Sequence, residues 1–569
     1  VTVQDKRGLT PLHQASRSGD VDVARFLVEH GADAASQDKQ GSTPLHRVSF
    51  YGHIDLVRFF VEHGADASAQ DKHGSTSLHR ALSNNCMDVA QLLVEHGADA
   101  AIQDKHGSTP LHQALQFSNV DLAQFLVEHG ADTTTQDKDG LTPLHRVSML
   151  ESRESVDLAH LFLERGADAT AEDKRGSTPL HWVSVSKSIN VDLARLLVEH
   201  GADVTARNKE GSTPLHWASD HGSVDLARLL VEHGSDVTAQ DKKGFTPLHW
   251  ASDNGSTDLA HLLVEHGADA TAQEKEGSTP LHWVSENGSV DLARLLIERG
   301  ADATAQDKEG STPLHWASES GSADLARLLV EHGADATARD EEGTTPLHWV
   351  MASESGGVDL ARVLVEHGAD VAARDEDGST PLHQASASGY VDLVRLLVEH
   401  GATTTVQDKG GCTPLHDASA NGHVDVTRLL IEYGADTTAQ NKDGLTPLHQ
   451  ASVGGHVEVL SLLVEHGADM TARDKRGFAP LHMASRGGVI KAARLLVEHG
   501  ADVTSRSRDG STALHLASRG GHVGVVRVLL QHGADLAAHN NMNQTPFDLA
   551  LGRVYYCSII QLLSGQGSE

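Results

Sequence analysis

Histidine is the residue of this chain that most invites a chemical reading. Sixteen of its 39 histidines close the motif Thr-Pro-Leu-His or a near variant of it, from His13 to His515. Thirteen more stand before the glycine that closes the second helix of a unit, as in Glu-His-Gly. Imidazoles ligate metals and carry protons, and the stretch Gly211 to Ser219, GSTPLHWAS, adds a threonine, two serines and a tryptophan. A metal, however, needs three or four ligands converging on one ion. These histidines come one per copy of the motif, roughly 8–10 Å apart if the copies pack as neighbouring helices. The Thr-Pro-Leu-His imidazoles are therefore read as local hydrogen-bonding groups that tie one unit to the next. The Glu-His-Gly imidazoles are read as lying at helix C-termini, where partial positive charge is favourable. The chain has no phosphate-binding GxxxxGK[ST], no HExxH, no GxSxG and no kinase signature. No catalytic residue, metal site or cofactor is assigned, and the chain is not expected to be an enzyme.

The elements that carry these residues are set by a period. The motif threonines stand at 10, 43, 76, 109, 142, 178, 213, 246, 279, 312, 345, 380, 413 and 446, and Ala479, Thr512 and Thr545 continue the series. Thirteen of the sixteen spacings are 33 residues and the others are 36, 35 and 35, so the repeat spans the chain as one array. In the seventh unit, Thr213 is suited to cap a helix, with Pro214 at its first position, where a missing N–H costs nothing. Leu215 to Asp220 then form a short helix that Gly222 ends. Ser223 is placed to cap a second helix, with Asp225 near its positive end. Asp225, Arg228 and Glu232 form its polar stripe, and Leu226, Ala227, Leu229, Leu230 and Val231 cover the rest. Asp236 to Gly244 read as an extended turn or hairpin. Neither helix reaches the ~12–15 residues at which an isolated helix becomes marginally stable, so the units must stack.

The repeating phrase DKxGxTPLHxASxxGxxDLARLLVEHGADxTAQ resembles the ankyrin repeat. The resemblance implies an all-α solenoid, a curved elongated array of helix-turn-helix units, each with a β-hairpin or turn projecting at right angles. It also implies a concave surface of hairpin tips and first helices that binds other proteins without chemistry of its own. On this reading residues 1–8 are the tail of a truncated preceding repeat, 9–544 are sixteen full repeats, and 545–569 are a partial C-terminal cap closed by Ile559, Ile560, Leu562 and Leu563. The first full repeat already looks core-like (Val23, Phe26, Leu27), which leaves room for an effector domain upstream.

Composition narrows the partners. With 46 basic and 79 acidic residues the formal charge is -33, which disfavours nucleic acid or an anionic membrane as the main partner. Three dispersed cysteines, Cys86, Cys412 and Cys557, fit neither a disulfide framework nor a zinc cluster. No apolar run is long enough to cross a bilayer. A monomeric array in an intracellular, cytoplasmic setting is expected, with protein partners.

The chain also supplies its own internal comparison. Residues before the hairpin glycine and at the end of the first helix vary from unit to unit. The slot after the motif histidine is the most informative. It holds all six tryptophans, Trp182, Trp217, Trp250, Trp283, Trp316 and Trp349, in successive units. Elsewhere it holds Gln, Arg, Asp, Met or Leu, so it cannot be fully buried. A half-covered ladder with rungs roughly 8–10 Å apart is expected. Asp253, Glu276, Glu286, Glu309, Glu319, Glu342 and Glu354 run beside it, whereas Arg476, Arg486, Arg506, Arg508 and Arg519 mark the C-terminal units. Tryptophan faces among carboxylates suit an extended Lys- or Arg-bearing polypeptide. The alternatives are the sensing or targeting arm of a larger signalling protein and an elastic spacer.

Overall fold

Threonine and proline decide where each repeat begins. At Thr43 the backbone is extended, the hydroxyl accepts the amide of His46 at 3.4 Å, and Pro44 opens a helix that runs to Tyr51. The first helix of a repeat ends within two turns. In the seventh repeat it spans Pro214–Asp220, and Gly222 reverses the chain at φ +66°. The second helix, Val224–Glu232, follows at once. Asp225, Arg228 and Glu232 face solvent, while Leu226, Ala227, Leu229 and Leu230 are buried. Each buried leucine contributes about 2 kcal/mol. Ser223 holds the N-cap position without making the capping hydrogen bond expected of it. Asp20, Asn119, Asn190 and Ser322 do make that bond in their own repeats.

The computed structural model describes residues 2–185, 190–350, 357–551 and 557–564. It divides into two units, Val1–Lys275 and Glu276–Glu569. Each unit is a tandem stack in which first helices pack on first helices and second helices on second helices. Thirty-four helices and no strand occur among the described residues. Of the two forms expected, β-hairpin or turn, the described residues show a tight turn. Asp38 shows how it closes: its amide donates to the Ser42 carbonyl, and its Oδ1 accepts the amides of Gln40 and Ser42. With the carboxylate and the turn absorbing these donors, one main-chain bond is left to run between repeats. Lys39 N–H donates to the Arg7 carbonyl at 3.0 Å, and Lys72 N–H to the Gln40 carbonyl at 2.8 Å. Only the backbone of Arg7 or Gln40 is used, which is why that position varies freely in type. Its following glycine is constant through the sixteen full repeats, and in the last unit Asn543 takes the same left-handed conformation at φ +57°. A Cβ on Gly211 would lie 3.0 Å from the Lys242 nitrogen, at a φ of +82°.

The irregular segments qualify the sequence reading. In the fifth repeat the extra residues do not merely lengthen the turn. The second helix starts early and runs Glu154–Glu164, eleven residues against the usual nine. The other two insertions lie largely outside the described residues. In the first repeat Leu27 is buried, but Val23 and Phe26 stand 45% and 56% exposed, there being no earlier helix in this sequence to cover them. At the other end Ile559 and Leu563 are buried and Ile560 and Leu562 half-buried.

Candidate partner-binding surface

The motif histidines are buried and fully engaged within the scaffold. The amide of Thr213 donates to His216 Nδ1 at 3.1 Å, and the Thr213 hydroxyl lies 2.8 Å from the same nitrogen. Nε2 meets the Phe245 carbonyl of the following repeat at 3.1 Å. An amide can only donate and a carbonyl can only accept, so the ring must be neutral with its proton on Nε2. The same bond to the next repeat recurs from His13, at 3.0 Å, to His515, at 3.0 Å. Protonation would set an N–H against the capping amide in a site closed to water. Burial accordingly lowers these pKa values, to about 4 for His181, His315 and His482. The Glu-His-Gly histidines adopt the opposite arrangement. His233 Nδ1 bonds the Leu229 carbonyl at 2.8 Å, capping the second helix at the surface. Among the described residues no group of His, Cys, Asp or Glu could hold a metal.

The slot after the motif histidine reaches back nine residues to the aspartate of its own turn. Arg47 pairs with Asp38 at 2.7 Å, Arg80 with Asp71, and Arg146 with Asp137 at 2.8 Å. Trp182 Nε1 donates to Asp173 Oδ2 at 3.1 Å, and Trp349 Nε1 to Asp340 Oδ2 at 3.2 Å. Burial opposes the charge on Asp38, Asp71 and Asp137, yet the arginine and the turn amides hold each carboxyl below its usual range. Where the slot is itself acidic the pairing fails. Burial, with Asp408 facing it, pushes the Asp417 carboxyl up to about 7. Where the slot is Leu516 the turn residue is Ser507, so the polar partner is gone as well. These turn aspartates escaped the sequence reading, although their constant spacing of nine from the slot was visible in it.

All six tryptophans are half-buried, as their slot required. They are not separate rungs. Trp182 and Trp217 meet edge to face with centroids 5.6 Å apart, and Trp283 and Trp316 do the same at 5.6 Å. The rings lean along the stack instead of standing at helix-packing distance. Trp250 instead stacks on Phe245 at 5.1 Å, and Trp349 meets the edge of His315 at 5.6 Å. Asp253, Glu276, Glu286, Glu309, Glu319 and Glu342 are exposed, and Glu354 lies outside the described residues. Asp253 is crowded: partial burial, then the neighbouring Asp220, raise its pKa.

These features define a class, a stack of helical hairpins held together by buried neutral imidazoles and carrying its variation on turns and first-helix ends. A family model described as ankyrin repeats (3 copies) matches residues 1–71, 49–137, 78–173, 144–241, 235–307, 300–375, 350–441 and 434–507. A second, described as ankyrin repeats (many copies), matches residues 496–550. The chain belongs to the ankyrin-repeat family. Comparison with curated proteins gave no match. Ankyrin repeats generally mediate protein–protein interaction and are typically non-catalytic. Among the described residues, no helix is long and apolar enough to cross a membrane.

Proposed function

We propose that this chain is a non-catalytic protein-binding scaffold whose tryptophan-bearing repeats take an extended basic segment of a partner. The observation that supports this reading is the pairing of exposed carboxylates with half-open indole rings in the same repeats. Asp220, Asp253, Glu286 and Glu319 occupy one equivalent position at the end of successive first helices, four residues after the motif histidine. Asp253 already feels Asp220, so a lysine or arginine between them relieves repulsion as well as gaining attraction. Cation–π contact with an indole adds about 0.5–2 kcal/mol for each ring engaged.

The test replaces Trp250, Trp283 and Trp316 by Gln, a residue that Gln384 and Gln450 show the slot accepts. Binding of a labelled Lys- and Arg-rich peptide to the full chain is followed by fluorescence anisotropy. Affinity is expected to fall roughly tenfold or more, with the helical circular dichroism retained. Unchanged affinity would reject the tryptophan surface as the binding face.

A further inference from the structure

Three arginines in the last repeats converge on one cleft. Arg47, Arg80 and Arg146 are spent on the aspartates of their own turns. Arg506 donates to the carbonyls of Gly510 and His539. Arg476, Arg486 and Arg519 are exposed, and among the described residues none of their guanidinium groups makes a hydrogen bond or ion pair. All three line one cleft of about 420 Å³ together with Phe478, Leu516 and Asp509. Its single carboxylate, Asp509, accepts Ser507 Oγ at 2.5 Å and the Ser511 amide at 3.1 Å and stays ionised, so the three guanidinium groups outnumber one negative charge in the cleft. Beneath the arginines, Phe478, Met483 and Leu516 form a buried apolar cluster against which Leu445 packs.

Both changes that make this cleft occur at positions with counterparts elsewhere in the chain. Arg486 and Arg519 stand at the first-helix end that carries Asp220, Asp253, Glu286 and Glu319 in the central repeats. Arg476 stands before the turn glycine, where Glu210, Glu276, Glu309 and Glu342 stand in theirs. In the same two repeats the slot turns apolar, as Met483 and Leu516. Charge reversal and loss of slot polarity thus coincide at one place.

We propose that this cleft docks an acidic segment of a partner protein, its carboxylates on Arg476, Arg486 and Arg519 and an apolar side chain toward Phe478 and Leu516. Charge complementarity carries the choice of occupant: three unpaired guanidinium groups in a chain of formal charge -33 form a local exception that steers an anionic ligand to one site. Forked arginines bind carboxylates in two-point fashion. The apolar floor gives a hydrophobic side chain of such a segment a place to bury beside the charges. This surface is additional to the tryptophan face and of opposite preference, so either can fail without the other.

The probe is a short fluorescein-labelled peptide of Glu and Asp with one central Phe, titrated with the full chain and followed by anisotropy. Binding is expected, with weakening at high salt, whereas any affinity of the chain for the same peptide with Lys in place of its acids should be indifferent to the arginine substitutions that follow. Replacing the central Phe by Ser should weaken it. Arg486→Gln combined with Arg519→Gln should lower affinity roughly tenfold, and adding Arg476→Gln should lower it further. These side chains are exposed, so the thermal melt is expected to hold and to certify the fold. Leu516→Gln, carrying the residue of other slots, tests the floor separately and should mimic the loss of the Phe. Full affinity in the triple arginine variant would overturn the proposal. So would displacement of the peptide by an equal concentration of single-stranded DNA, which would reduce the cleft to a general polyanion contact.

Discussion

Repeats seven to ten and repeats fifteen and sixteen share one scaffold and carry opposite surfaces. In both, a buried neutral histidine bonds the capping amide of its own helix and a carbonyl of the next repeat: His216 to Phe245, His482 to Ser511. Yet the first-helix end reads Asp220, Asp253, Glu286 and Glu319 in one region and Arg486 and Arg519 in the other. Repeat fifteen even lacks the capping hydroxyl, with Ala479 in place of threonine, and His482 keeps its bond to the Ala479 amide at 3.2 Å. The lesson is a division of labour within 33 residues. Positions that stack cannot change, and positions that only lend a backbone carbonyl or face solvent are free to take either charge.

If the scaffold is common, acid should dismantle both regions alike. Burial lowers the folded pKa of His181 and His315 in the tryptophan repeats, and of His482 in the arginine repeats, to about 4. Unfolded histidine titrates near 6.5. Between these values the unfolded chain binds more protons, so the contribution is complete above pH 6.5 and is lost as pH falls toward 4. The urea midpoint, followed by circular dichroism, should therefore drop steeply over that window. His315→Leu should cost about 2–4 kcal/mol even at pH 7.5, because it orphans the Thr312 amide and the Thr344 carbonyl. A flat profile across the window would break the shared-scaffold half of the comparison.

A smaller effect isolates the slot. The folded pKa of Asp417 is raised to about 7, against about 4 in the unfolded chain, so the folded state holds the proton longer and stability is lost as pH rises between these values, the loss being complete above 7. Asp417→Asn should gain roughly 2–4 kcal/mol at pH 8, with most of the gain already present at pH 6 and little at pH 4. Equal gains at pH 4 and pH 8 would show that ionisation of this buried carboxyl is not the cause.

The charge half is sharpened by exchange. Glu286→Arg with Glu319→Arg writes the C-terminal pattern into the central repeats. Stability should change by less than about 0.5 kcal/mol, since both sites are exposed, while affinity for the basic peptide falls about tenfold. A large loss of stability would mean that these acids belong to the scaffold after all.

The period, the helix starts and the inter-repeat role of the histidines were legible because they rest on local chemistry. Threonine then proline fixes a helix start wherever it stands, and a one-per-unit histidine cannot gather ligands. The half-burial of the tryptophan slot was legible too, from the range of residues it admits. Between a hairpin and a turn the sequence left the choice open, and the structure decides for the turn, since a strand needs several ladder bonds and each turn lends its neighbour one.

The amino-acid order alone determined the family of shape, the length of the repeat and where its variation gathers, because 33-residue spacing and capping are properties of short stretches. Side-chain direction between stacked units was decided only by the tertiary structure. It turned the slot back to an aspartate nine residues earlier, brought indoles to 5.6 Å, and left three guanidinium groups unpaired above an apolar floor. The indole contacts and the arginine cleft depend on what packs alongside, and no single repeat contains that information.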